Sequence, residues 1–326
     1  FFTLKPDYRT APVYIWSWST GILFFFITVS ESYLWLIDYF NNNIVRDVTV
    51  QWKALGSMVG SWNMLVYGTG MYIMERTSAD AKVARSPIAF FFYFLGLANL
   101  MFNWGHHTYI VPAAPWVKTV AYIISMTELV ILAHIIIQWK KTMNKAKKNY
   151  HSIPYRLLSY ADVWIFLNLS LAIAISVPAW NYYTHGTHIT VAHAMGATIG
   201  INTMLLLAAI FFIVQKENPE RFERKKRLIG AGIIITNVAT MIFWISLLGM
   251  GIIKISSKLN NEAFYSIMQK SLPFFKLFTY SGVVIFLGLF ILIIAALSVM
   301  KAKTVIDSQQ SIAVSLSPEI AENSKI

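Results

Sequence analysis

Residues 189–214 read "ITVAHAMGATIGINTMLLLAAIFFIV", a run of 26 residues without one Lys, Arg, Asp or Glu. About 20 apolar residues suffice for an α-helix to cross the hydrocarbon core of a bilayer. The run is therefore read as a membrane span, and the rest of the chain agrees. Of 326 residues, 56% are hydrophobic and only 13% are charged, about half the charged fraction of a soluble domain. Mean hydropathy is +0.55. Further apolar runs give eight spans in all, at about 12–38, 53–74, 87–105, 116–138, 158–179, 189–214, 228–253 and 275–299. The expected fold is all-α, a polytopic membrane helical bundle of about eight transmembrane helices over residues 1–303. A polar tail, 304–326, has the composition of a disordered segment. No internal repeat and no soluble domain is visible.

The net charge of +12 does not mark a nucleic-acid partner, because the basic residues sit in short loops between spans. The stretches 75–86, 139–157 and 215–227 carry most of them, whereas 106–115 and 180–188 hold no Lys or Arg. Basic loops stay on the cytoplasmic side, which places both termini of the chain inside. Arg46, Lys254, Lys258 and Lys270 fall in external loops against this trend. The localisation that follows is a bacterial-type inner membrane crossed many times. There is no Cys, so disulfides, thiolate metal sites and covalent c-type haem are excluded. The chain opens on Phe1, with no signal peptide in view.

Just before the quoted run stand His185 and His188, and within it His193, three of the seven histidines in the chain. The same external end holds His106 and His107, which close the third span after Gly105. Imidazole is a common ligand for transition metals and haem iron, and ionisable groups within spans default to function. Adjacent helical residues point about 100° apart. His106 and His107 therefore share one metal only where the helix ends, and Gly105, Pro112 and Pro115 fit such an end. His185 and His188 suit haem propionates, proton transfer or plain exposure to water.

These residues carry a resemblance. "WGHHTYIVPAAPW" (104–116) and "NYYTHGTHITVAH" (181–193) resemble segments of the nitric oxide reductases of the haem-copper oxidase superfamily. So does "SLPFFKLFTYSGVVIFLG" (271–288), which is similar to their last span. The similarity runs from about residue 52 to 299 and covers the C-terminal two-thirds of such a subunit. It implies missing N-terminal spans, or a separate membrane subunit that supplies them. It also implies haem b, one or two per chain, and non-haem iron or copper. His193 would be the axial ligand of the high-spin haem, and His106 and His107 two ligands of the neighbouring metal. Glu128 would be the catalytic carboxylate beside it. The implied activity is reduction of NO to N2O, with electrons from a cytochrome c-type or quinol donor. Oxygen reduction fits less well, for want of a clear cross-linkable tyrosine and histidine.

Two departures stand out. In "KALGSMVGSWNMLVYG" (53–68) the third metal histidine of the family falls on Leu55, and a glutamate on Val59. In "HAM" the low-spin haem ligand falls on Met195. Methionine also ligates haem iron, and residues i and i+2 of a helix face opposite ways. The first departure keeps an alternative open: a catalytically degenerate haem-binding subunit for electron transfer or assembly. A transporter, with Glu31, Asp162 and Asn168 along a polar path, leaves the clustered histidines without a role.

Overall fold

The computed structural model describes residues 10–300. The tail 304–326 lies outside the described residues. Among those described there are helices and no strand. Eight long helices run back and forth. They are α1 (Val13–Glu31), α2 (Ile44–Ser78), α3 (Pro87–Phe102), α4 (Pro115–Thr142), α5 (Ser152–Ser176), α6 (His188–Glu217), α7 (Pro219–Leu259) and α8 (Phe264–Met300). Each expected span overlaps one of them, and those at 87–105 and 158–179 run about three residues past the helix ends at Phe102 and Ser176. The first span is shorter than 12–38, because α1 stops at Glu31 and a short 3-10 turn, Leu34–Leu36, follows.

The starts follow local chemistry. Ser86 caps α3 by accepting from the Ala89 N–H, with Pro87 in the first turn, where its missing N–H costs nothing. Asn43 caps α2 through the N–H groups of Val45 and Arg46. Thr187 caps α6 through the Ile189 N–H.

Seven of the eight helices are long and apolar enough to cross a membrane by length and composition; α2 is not among them. The reason is what α2 touches. At 35 residues it is about 52 Å long, ample for a crossing. Its interior is diluted by Gly56, Ser57, Gly60, Ser61, Asn63, Gly68 and Gly70, of which Ser57, Gly60, Ser61, Gly68 and Gly70 are buried. Small residues let membrane helices approach backbone to backbone. A Cβ at Gly60 would stand 2.6 Å from the Leu100 Cα on α3, and one at Gly56 only 2.5 Å from the Trp104 Cβ. Thus α2 packs through its small residues against α1, α3 and α6.

The polar residues of the transporter reading are mostly neutralised in pairs. Glu31 at the end of α1 pairs with Lys53 on α2. Asp162 on α5, 3% exposed, lies 2.8 Å from the Lys140 Nζ on α4, which is 40% exposed. Removing one partner of a buried pair strands the other. Lys140→Met is expected to destabilise the protein by about 3 kcal/mol, the low end for such a change because Lys140 is partly exposed. Lys140→Met combined with Asp162→Leu should recover most of that loss. Thermal unfolding of the three proteins in detergent measures it; equal losses in the single and double variants would refute the pairing as a source of stability.

Candidate functional site

The third span ends where the histidines require it to. Helix α3 stops at Phe102 and the chain tightens into a 3-10 turn, Asn103–Thr108. The Thr108 hydroxyl donates to the Gly105 carbonyl at 2.8 Å. Gly105 itself presses on α4, where a Cβ would meet the Val117 carbonyl oxygen at 2.8 Å. This turn sets the His106 and His107 ring centres 4.2 Å apart.

The proton of His106 is fixed by its neighbours. Its Nδ1 lies 3.1 Å from the Asn103 Oδ1, which also accepts from the Ser125 hydroxyl of α4 at 2.7 Å. A carboxamide oxygen can only accept. Nδ1 therefore carries the proton, and Nε2 keeps the free lone pair that a metal requires. Asn103→Ala is expected to weaken metal binding at His106 about 10–100-fold, the usual cost of removing such an orienting partner. Asn103→Asp, which still accepts, should retain affinity. Titration of the two variants with a transition metal checks this; equal affinities in both would refute the assignment.

Helix α2 contributes a wall. The Trp52 indole stacks on His107, ring centres 4.7 Å apart and planes within 7°. The same indole meets His185 edge-on at 5.5 Å. His107 and His185 are 6.0 Å apart. His193 joins from α6: both His106 and His107 interact electrostatically with it and with His185. His106, His107 and His185 thus lie at one end of the bundle, with His193 within electrostatic range. Burial pushes His185 below its ordinary pKa. Nearby Tyr109 has a buried hydroxyl with no partner. Burial, and then Tyr122, push it up to about 12.

His188 is not part of this group. Its ring packs edge-on against Phe275 of α8 at 5.6 Å, with Lys254 of α7 near it. Met195 also faces α7 and α8, packed on the buried cluster of Ala239, Phe243, Leu247 and Ile285. Glu128 lies at the middle of α4; its side chain is outside the described residues.

Leu55 and Val59 follow Trp52 on one face of α2, at i+3 and i+7. Farther along that face, Asn63 contacts Asn202 of α6 and Gly70 packs on Leu205. The face thus touches neighbours at both ends, yet Leu55 is 42% and Val59 53% exposed. These two exposed apolar side chains lie between the two contacts.

Below His193, α6 departs from α-helical geometry. Residues Gly196–Asn202 form a π-helical segment, a feature frequent at functional sites. Gly196 presses on the Asn168 side chain and Gly200 on the Trp164 indole of α5. The Gly-x-x-x-Gly spacing was the legible signal for this approach. The widened turn itself, Trp52, Asn103 and Ser125 were not anticipated.

The unpartnered histidine nitrogens are donors of the kind that ligate haem iron. The Nδ1 atoms of His107 and His193 and the Nε2 of His185 are buried with no hydrogen-bond partner. Each such atom costs about 1–3 kcal/mol if left unpaired, and ligand bonds or their supporting hydrogen bonds use these atoms. Among the described residues no three His, Asp or Glu side chains are grouped as a metal site.

Residues 3–285 match the family described as Cytochrome C and Quinol oxidase polypeptide I. No curated protein matches the chain.

Proposed function

The chain belongs to the cytochrome c and quinol oxidase polypeptide I family, so it is a haem-containing membrane subunit of the respiratory kind, and from that membership we propose that it reduces nitric oxide to nitrous oxide. The observation that carries the proposal is the His106–His107 pair at the end of α3, ring centres 4.2 Å apart, with His193 of α6 within electrostatic range of it.

In this reading His193 of α6 would hold the iron of one haem b, and His106 and His107 would hold non-haem iron or copper. When bound, haem and metal would supply the electrons for the reduction of two substrate molecules. The residues do the rest. Asn103 and Ser125 keep the His106 lone pair aimed outward. Trp52 holds the plane of His107 and covers the cluster. Leu55 and Val59 give a dry wall that suits a small neutral gas better than an ion. Glu128 belongs to the series Ala121, Ser125, Glu128, at helical spacing on α4; the first two members meet the histidine turn. In the reading it is the metal ligand or proton acceptor beside the site. Two NO, two electrons and two protons give one N2O and one water.

Met195, on the opposite side of α6 from His193, is the proposed contact to a second haem. Electrons come from a cytochrome c-type or quinol donor, since a chain without Cys carries no covalent c-type haem. The basic loops set both termini in the cytoplasm of a bacterial-type cell.

The test is N2O formation from NO by the reduced, purified protein. One N2O per two NO, lost in His106→Ala and His107→Ala with haem retained, is the expected result. Haem that reduces without producing N2O would overturn it. A second reading rests on the apolar Leu55 and Val59: a subunit that keeps haem for electron transfer or assembly and has lost the second metal.

A further inference from the structure

We infer that Arg156 of α5 and Arg227 of α7 together hold the phosphate of one anionic phospholipid, with its acyl chains lying along the seam between the two helices. Both residues stand at the end of the bundle that carries the basic loops, and neither takes part in the histidine site.

Helices α5 and α7 meet along that seam. The Trp164 indole N–H of α5 donates to the Asn237 Oδ1 of α7 at 3.2 Å, and the same indole meets Trp244 edge-on, ring centres 6.0 Å apart. Nearer the basic loops, Arg156 crosses to α7, where its Nη1 would lie 3.2 Å from a Cβ at Gly230. Glycine there leaves the guanidinium room to lie across the helix. Arg227 precedes Gly230 by three residues. That spacing puts it on the same side of α7, about 4.5 Å nearer the basic end. Both arginines are exposed.

Charge singles out this pair. On the neighbouring segments, Lys140 is paired with Asp162, Arg224 with Glu220 and Lys226 with Glu223, and Lys148 lies over the Tyr155 ring. Among the described residues no carboxylate forms an ion pair with Arg156 or Arg227. A guanidinium presents a planar fork of N–H donors that matches two phosphate oxygens. The height fits a lipid headgroup. Arg156 stands two residues before the apolar run 158–179, and Arg227 one residue before 228–253. Val163 lies seven residues beyond Arg156 and Ile234 seven beyond Arg227, on the same helix faces and about 10 Å deeper. Both are exposed, and so is Val238. Val163 and Val238 adjoin the contacting Trp164 and Asn237 in sequence, so exposed hydrocarbon continues along the seam below the two cations. Basic pockets between membrane helices are a recurrent site for anionic headgroups.

The probe is palmitoyl-oleoyl phosphatidylglycerol added to the purified full chain in detergent, with phosphatidylcholine of the same chains as the neutral comparison. Native mass spectrometry counts the bound lipids, and the unfolding temperature reports the stabilisation that binding gives. The wild type is expected to retain one phosphatidylglycerol per chain in preference to phosphatidylcholine. Arg156→Gln combined with Arg227→Gln should bind it about tenfold more weakly or worse, with the unfolding temperature in phosphatidylcholine unchanged. Lys145→Gln combined with Lys225→Gln removes the same charge from exposed positions at the same end and should match the wild type. Equal weakening in the two double variants would overturn the site and leave a diffuse basic surface. Absence of a preference for phosphatidylglycerol would overturn it as well. Complete displacement of the lipid by inorganic phosphate would show a free-anion site and overturn the assignment to a phospholipid.

Discussion

Replacing His193 with alanine is expected to remove one haem per chain and to lower NO reduction by at least a hundredfold. The haem iron in this account is held to the protein by the His193 imidazole, and no other described side chain on that side of α6 offers a comparable donor. The substitution does not threaten the helix. Alanine is the best helix former, and His193 lies inside an eight-residue α-helical stretch, His188–Met195, capped by Thr187. Loss of haem therefore reports loss of a ligand rather than loss of fold. Imidazole added to His193→Gly should restore part of the haem spectrum, because a free imidazole can enter the space vacated. Unchanged haem in His193→Ala would make His193 an ordinary core histidine.

Gly60→Ala has the second largest expected effect. The new Cβ would stand 2.6 Å from the Leu100 Cα and 3.1 Å from its Cβ. A main-chain atom cannot rotate aside, so α2 and α3 must separate. Overpacking of this kind typically costs about 1–3 kcal/mol, and rigid backbone contact puts Gly60 at the upper end. The effect travels to the site. Leu100 lies six residues before His106, and Gly56, one turn nearer, is closed on Trp104 in the same way. Separation of the helices lifts the Asn103–Thr108 turn away from Trp52, so metal affinity should fall together with the unfolding temperature. Gly96 on α3 has nothing within 4 Å of its would-be Cβ, and Gly96→Ala should lower neither. Equal behaviour of the Gly60 and Gly96 variants would refute the close approach.

Hydropathy and charge made the bundle legible. Runs without charge specified the helices, and the basic loops their alternation. It was least informative for α2, whose glycines and serines look weak as a span because they serve helix contacts instead of lipid. The site was legible where chemistry is local to the chain. Gly105-His106-His107 announces both a helix end and a ligand pair, and the histidines before α6 announce a site near its start. The contacts that give them roles span long stretches of sequence. Nothing in residues 181–193 says that His185 turns to Trp52 while His188 turns to Phe275. That division depends on where α6 begins and on what α2 and α8 present there. Asn103 likewise gains its role only because Ser125, 22 residues on, packs against the same turn.

Metal analysis and a reduced-minus-oxidised spectrum on one sample of the purified protein test the central claim most directly. The account predicts haem b bands and, beyond the haem iron, one further iron or copper per chain. Haem without that additional metal would contradict it and leave a subunit that carries electrons but has no second metal with which to join two molecules of NO.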